Sequence, residues 1–393
     1  MTQDEIKKLP TLLEVVEDII GKEKQALQYH QRPNLIAIPY PSSISLPRKE
    51  YYNNYEKDKF IAVRLISRDP ERPEKYALKP NLKDRMYLFR GQSGFYDPSV
   101  PTIFRKSHGR YVVENIYFEE FKLALLDHPL VQMLREGIRL GGHTYFFEVN
   151  IIGLAQHYGL KTCVMDLTSD IEVAKFFACT DYDVATNTYY PVIDEERYGV
   201  FYYWDNIRDD YAFQQTLQGN NLSNIGLQLF PRSGNQRGFL YSLFKGQNFH
   251  DSRYVRYRLF KHDATISKQI YRASRKGKLY FPEDELSSLA YRIRTAKTLS
   301  GEAFANNLKA NPQDDKNENY AECKANNLDI DFRKPHISFN ETEKAIYRKR
   351  IKDGFWTRFC SQIIFPNDRE GRIMKELQDL PNNPKYNHYF FWK

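Results

Sequence analysis

The chain has 393 residues, 41% hydrophobic and 27% charged, a balance that excludes a mostly disordered protein, a collagen-like repeat and a disulfide-stapled miniprotein. Its 58 basic and 50 acidic residues leave a net charge of +8. Both signs are abundant, so the excess fits either a mixed solvated surface or attraction to a polyanion such as RNA, DNA or a nucleotide.

Four cysteines, Cys163, Cys179, Cys323 and Cys360, form no C-x-x-C pair, so neither zinc nor a disulfide framework is expected. They suit a reducing compartment. No apolar run reaches the length of a membrane span, and the first ten residues lack an apolar secretion core. A soluble, cytoplasmic protein is expected.

In chain order, Leu12, Leu13, Val15, Val16, Ile19 and Ile20 recur at helical spacing and predict a helix over 11–27, with Gly21 as an interruption. Pro33, Pro39, Pro41 and Pro47 then deny regular structure. A strand over 60–66 is broken by Asp69-Pro70-Glu71-Arg72-Pro73. Residues 1–80 are therefore assigned to an N-terminal accessory region. A short strand over 86–89 runs into Arg90-Gly91-Gln92-Ser93-Gly94, and one long helix is expected over 113–136. Gly159 ends the next helix as a left-handed cap. A strand at 162–165 turns through Asp166-Leu167-Thr168-Ser169 into a helix over 170–179. Strands follow at 199–204 and from Gly238. The stretch 306–327, rich in Asn, Lys and Asp, predicts a mobile linker inside a C-terminal extension, 296–393. Tyr389-Phe390-Phe391-Trp392 is too apolar to dangle and should dock on a core or a partner. The irregular alternation of strands and helices implies an α+β fold with a mixed β-sheet core and flanking helices, not a doubly wound parallel sheet.

No P-loop, G-x-G-x-x-G, G-x-S-x-G or H-E-x-x-H occurs, so metal chemistry and triad hydrolysis lack motif support. The polar residues at the element ends carry the remaining chemistry, each with two readings. Arg90 suits an anion site because its fork pairs bidentately with phosphate, or it pairs structurally with an acid such as Asp97. His157 is an acid/base, or it satisfies its helix's last carbonyls. Asp166 orients His157 or a hydroxyl, or bonds turn amides. Ser169 and Glu172 have the spacing of a capping box, which leaves Thr168 to face a ligand. Gln92 and Gln236 are ligand contacts or structural amides.

Phe89-Arg90-Gly91-Gln92, Leu154-Ala155-Gln156-His157-Tyr158-Gly159, Met165-Asp166-Leu167-Thr168, Ala174-Lys175-Phe176-Phe177-Ala178 and Gln236-Arg237-Gly238-Phe239 follow one another in order. With Leu279-Tyr280-Phe281-Pro282-Glu283 and Leu289-Ala290, this resembles the FRG domain, a family named for its Phe/Tyr-Arg-Gly motif and largely without assigned activity. The resemblance spans 81–294, so an FRG-like domain is placed at 81–295. Lys161, Val164-Met165 and Leu167 stand where the family tends to have Pro, Leu-Leu and Trp. The pattern also resembles, more faintly, the ADP-ribosyltransferase superfamily: Arg90 matches its early strand-end residue, Thr168-Ser169 with 174–178 its strand–helix element, and Gln236 the position of its glutamate. Asp166 or Glu148 is then the available carboxylate. That resemblance implies an ADP-ribosyltransferase-like fold and NAD as cofactor, with a protein or nucleic-acid acceptor. It implies catalysis by His157, Asp166 and Gln236, and cofactor binding by Arg90, Gly91, Gln92, Tyr158, Thr168 and Ser169, with Gly91 and Gly94 letting the backbone approach the ligand. No metal is implied. The alternative is a non-catalytic nucleotide- or RNA-binding module.

Overall fold

Apolar side chains that alternate along Tyr198–Trp204 build the strand around which the larger sheet forms: Val200, Tyr202 and Trp204 face one core, Phe201 the other. In this computed structural model the described residues are 1–30, 56, 58–65, 75–82, 85–105, 111–183, 186–205, 221–366, 368 and 370–392. Helices α1 (Gln3–Lys7) and α2 (Leu12–His30) precede strands β1 (Phe60–Leu65), β2 (Lys75–Pro80) and β3 (Leu88–Gln92). Next come α3 (Tyr111–Leu126), α4 (Pro129–Glu136), β4 (Ile138–Leu140), β5 (His143–Phe147), α5 (Ile151–His157), β6 (Val164–Thr168) and α6 (Ile171–Cys179). The hairpin β7 (Thr180–Asp183) and β8 (Thr188–Pro191) leads to β9 (Tyr198–Trp204), β10 (Leu222–Asn224), α7 (Pro231–Asn235), β11 (Gly238–Ser242) and β12 (Val255–Lys261). Helices α8 (Ala264–Ala273) and α9 (Glu285–Thr295) follow, then β13 (Thr298–Ser300), α10 (Gly301–Ala310), α11 (Lys316–Ala325), β14 (Asp329–Asp331) and α12 (Glu341–Lys352). The chain closes through α13 (Phe355–Ser361), β15 (Ile363–Ile364) and α14 (Arg372–Gln378).

The six-stranded sheet has the order β10-β11-β6-β3-β9-β12, and all its neighbours run antiparallel. The strands expected near 86–89, 162–165 and 199–204 thus lie side by side, as an α+β core requires. One face packs Leu88, Met165, Leu167, Tyr202, Trp204 and Phe239. On the other, Phe89 and Phe201 meet α6 and the apolar stripe of α2, where Leu12, Val15, Val16 and Ile19 are buried. A second, five-stranded sheet, β15-β1-β2-β5-β4, mixes parallel and antiparallel pairs. Strand β1 pairs with β15 more than 290 residues on, Phe60 opposite Ile363, so both ends of the chain enter one sheet. Its core joins α3, α4, α9 and the C-terminal helices.

Several expectations change in physical detail. Gly21 lies inside α2, not at a break: no atom would touch a Cβ there, and helical hydrogen bonding carries through it. The single helix expected over 113–136 is two, because Pro129 has no amide hydrogen and sits in the first turn of α4, where none is needed. Strands β3 and β6 begin two residues later than their apolar runs suggest, which puts Arg90, Gly91 and Gln92, and likewise Asp166 and Thr168, inside strands. Ser169 does not cap α6; the Asp170 carboxylate accepts the Glu172 amide at 2.9 Å. The supposed linker at 306–327 is largely α10 and α11, each capped by its preceding Ser300 or Asp315. Polarity there marks solvent-facing helix surface; Phe304 and Cys323 still reach the core. The C-terminal aromatics do dock: Phe390 is buried on Trp356, and Trp392 packs edge-on to His128. The prolines at 33–47 and the break at 69–73 lie outside the described residues.

Candidate functional site

Strands β3 and β6 pair through one position only, Phe89 opposite Thr168. Past that bridge the ladder opens, and a side chain takes over a carbonyl: Arg90 Nη1 donates to the Asp166 main-chain oxygen at 2.8 Å. Alternation puts Arg90 and Gln92 on the face of Leu88, and Asp166 and Thr168 on the face of α6. The candidate groups therefore straddle the gap between two strands and do not line one wall.

On the α6 side, His157 ends α5 and is buried, with Nε2 3.9 Å from Asp166 Oδ1. Gly238 is needed here, since a Cβ would come within 2.9 Å of that same Nε2 and 2.7 Å of Ile225. Burial lowers the pKa of His157 against the pull of Asp166, which keeps the imidazole neutral at pH 7. The Asp166 carboxylate is fixed from one side only: Oδ2 accepts from Gln156 Nε2 at 2.9 Å, and Gln156 Oε1 accepts from Thr162 at 2.6 Å. Arg90, half-buried, has its pKa lowered by burial and partly restored by Asp166 and Tyr202. Among the described residues no carboxylate lies within ion-pair distance of it; Asp97 faces His250 instead, at 3.4 Å. Arg90 Nε, Gln92 Oε1, His157 Nε2 and Asp166 Oδ1 are all buried without a hydrogen-bond partner. Ser169 Oγ is another such atom. Buried polar atoms normally have partners; others that lack one, such as Trp204 Nε1 and Asn307 Nδ2, lie elsewhere in the fold, and these four lie on β3, on β6 and at the end of α5.

Other candidates have structural occupations. Gly91 does not open the backbone to a ligand: a Cβ there would lie 2.0 Å from the Ala174 carbonyl oxygen and 2.6 Å from the Ala178 amide. The glycine exists so that α6 can lie directly on β3. Gly94 has ordinary φ, and a Cβ there would meet Tyr96 at 3.2 Å. Thr168 Oγ1 donates to the Gln236 carbonyl at 2.6 Å and accepts from the Asp170 amide at 2.9 Å, so its hydroxyl is committed. Gln236 follows α7, not the start of a strand, and its Nε2 donates to the Tyr280 carbonyl at 3.0 Å. Tyr158 is wholly buried, its hydroxyl on Asp284, with the Arg232 guanidinium 4.4 Å above its ring. Glu148 is not at the gap: its amide bonds β2 at Tyr76, and its carboxylate, raised in pKa by burial, faces Lys79, whose pKa burial brings down to about 8.

Two residues escaped sequence reasoning. Arg232 joins the site to its support, donating to the His157 carbonyl at 3.3 Å and to Ser287 Oγ at 2.8 Å. Gln156 holds Asp166; the glutamine of the Gln-His-Tyr-Gly run was the available signal. Behind Tyr158, Asp284 caps α9, and the next residue, Glu285, meets Arg350 Nη1 at 2.5–2.6 Å and His128 at 3.4 Å. Among the described residues, no group of three or more His, Cys, Asp or Glu side chains is placed to hold a metal ion, and no helix is long and apolar enough to cross a membrane.

Residues 85–187 match the FRG domain family, and the chain carries an FRG domain. The matched stretch runs from just before β3 to the β7–β8 turn and contains Arg90, His157 and Asp166. Gln236 and the segment after Leu279 lie beyond it. No curated protein and no solved structure matches the chain.

Proposed function

We propose that this FRG-domain protein binds a nucleotide, NAD first among the candidates, at the opening between β3 and β6, and acts as an ADP-ribosyltransferase-like enzyme on a protein or nucleic-acid acceptor. The observation that carries this is the set of four unpartnered buried atoms, on Arg90, Gln92, His157 and Asp166. They offer a cationic donor, an acceptor amide, a neutral imidazole and a carboxylate oxygen, the mixture that a phosphorylated ribose would satisfy. In this assignment Arg90 holds phosphate, and Gln92 accepts a hydroxyl proton beside it.

NAD supplies the reactive bond, between ribose and nicotinamide, whose cleavage builds positive charge on the sugar. Asp166 is the carboxylate available to stabilise that charge, a role Gln236 does not fill because it is neutral and its amide is engaged by Tyr280. His157, neutral at pH 7, takes the proton from the acceptor. Ser169, buried with a free Oγ, is the remaining cofactor contact, while Thr168 and Tyr158 position the backbone and helix that carry the others.

The commitment of Gln236 favours a second reading, a non-catalytic nucleotide-binding module. Calorimetric titration with NAD, followed by assay of released nicotinamide, separates them. Binding with nicotinamide release supports the enzyme, binding without release supports the module, and absence of binding by NAD, ATP and GMP alike refutes both.

A further inference from the structure

The densest unneutralised charge among the described residues lies at the end of α8, beyond the FRG match. Lys268 and Arg272 on the helix, and Arg275, Lys276 and Lys278 in the following turn, are all exposed. Among the described residues none of these five side chains has an ion-pair or hydrogen-bond partner. Their arrangement carries stability costs. Lys268 and Arg272 are like charges four apart on a helix, which repel. Arg275 and Lys276 have φ of 52° and 59°, left-handed backbone that suits glycine or asparagine far better than a long side chain. Cations in a last helical turn offset the helix dipole, which accounts for Arg272 but not for Lys276 and Lys278 beyond it.

The turn is also fixed. The Lys276 amide donates to the Tyr271 carbonyl at 2.8 Å, the Gly277 amide to Ser274 Oγ at 3.1 Å, and Gly277 lies against Phe176. Immediately after it, the Leu279 and Tyr280 carbonyls accept from Asn235 and Gln236 at 2.8 and 3.0 Å, so the cations stand beside the β6–β11 side of the candidate site. From 268 to 279 the exposed side chains are Lys268, Gln269, Arg272, Ala273, Arg275, Lys276, Lys278 and, at the edge, Leu279, so one large apolar residue stands beside five cations. Such a surface lacks the apolar centre of a protein interface and suits a repeating polyanion.

We propose that the α8 C-terminal turn is a nucleic-acid docking surface, on which Lys268, Arg272, Arg275, Lys276 and Lys278 hold the phosphodiester backbone. The proposal stands whether or not the neighbouring gap binds NAD. Its test is fluorescence anisotropy of the full chain with a labelled single-stranded RNA and a labelled DNA duplex over a series of salt concentrations. For five phosphate contacts on a single strand, log K should fall with log salt at a slope approaching about −3.5. The double substitution Arg275→Asn and Lys276→Gly removes two cations and relieves the backbone. It should weaken binding roughly tenfold or more at low salt and flatten the slope by about 1.4, with melting temperature unchanged or raised. Binding of either oligonucleotide with that loss in the variant supports the surface, and the better ligand identifies the backbone. Unchanged binding by the variant, or equally tight binding of a labelled polyglutamate, overturns it.

Discussion

Replacing Gly91 with alanine decides what the glycine of the Phe-Arg-Gly motif is for. The added methyl would sit 2.0 Å from the Ala174 oxygen, 2.6 Å from the Ala178 amide and 2.7 Å from the Ala178 methyl. Two of the three obstacles are backbone, so no side-chain rotation relieves them, and α6 must shift by roughly 1.5 Å to restore van der Waals distance. Overpacking of a tight core costs about 1–3 kcal/mol, and an obstacle made of backbone places this case at the upper end. On the scale of roughly 2–4 °C per kcal/mol for domains of this class, the melting temperature should fall by about 6–12 °C. Gly21→Ala is the matched control. It sits in α2 with nothing within 4 Å of the added methyl, so it should stabilise by about 0.5–1 kcal/mol. The assay is thermal unfolding followed by circular dichroism on both variants, with NAD titration on the same samples. A Gly91→Ala protein that melts within a degree of the parent yet loses nucleotide binding would refute the packing account and return Gly91 to the ligand.

Arg90→Ala strands no carboxylate, so its stability should fall by only the loss of one hydrogen bond, about 1 kcal/mol, or roughly 2–4 °C in melting temperature, while nucleotide affinity drops at least tenfold; Arg90→Lys should lose part of that affinity. A large stability loss with unchanged affinity would sink the anion-anchor role. Arg350→Met leaves the buried Glu285 carboxylate with His128, 3.4 Å away, in place of a cation, and should cost about 3–5 kcal/mol in urea unfolding. The pKa values of His128, His157 and His262 are lowered by burial, so the unfolded chain binds more protons than the folded one below its own histidine value, about 6.5. Stability should therefore fall as pH drops from 7.5 to 5.5, with partly exposed His336, raised by Asp127, opposing weakly. In His157→Asn that slope should be shallower, as measured by melting temperature across the same pH range.

The elements with a strong apolar pattern were legible: α2 from its apolar stripe, β9 from its short continuous apolar run, the cap at Gly159 from the glycine itself, whose φ is 84°. The misplacements share a cause. Reading a strand as its apolar run ends it where polar side chains begin, yet β3 and β6 continue through Arg90 and Asp166 because the backbone ladder does not depend on side-chain polarity. Polarity likewise disguised α10 and α11, whose exposed faces outweigh the few residues they bury. The division of labour between Gly91 and Arg90 was beyond sequence altogether, since it depends on which helix crosses β3 and how closely.

The motif residues make physical sense as parts of one joint. Phe89 and Thr168 close the last rung between β3 and β6, Gly91 lets α6 lie on that rung, and Arg90 reaches around the opening to the carbonyl of Asp166. Gln156, His157 and Tyr158 then divide one helix end among three tasks: holding the Asp166 carboxylate, facing it, and anchoring the helix on Asp284. Only the middle task leaves an atom unspent. A purely structural joint would finish its hydrogen bonds inside the protein, as Thr168, Gln156 and Tyr158 do. The incomplete ones, on Arg90, Gln92, His157 and Asp166, belong to the two strands that part there and to the helix end beside them, and on them rests the proposal of a ligand at this joint.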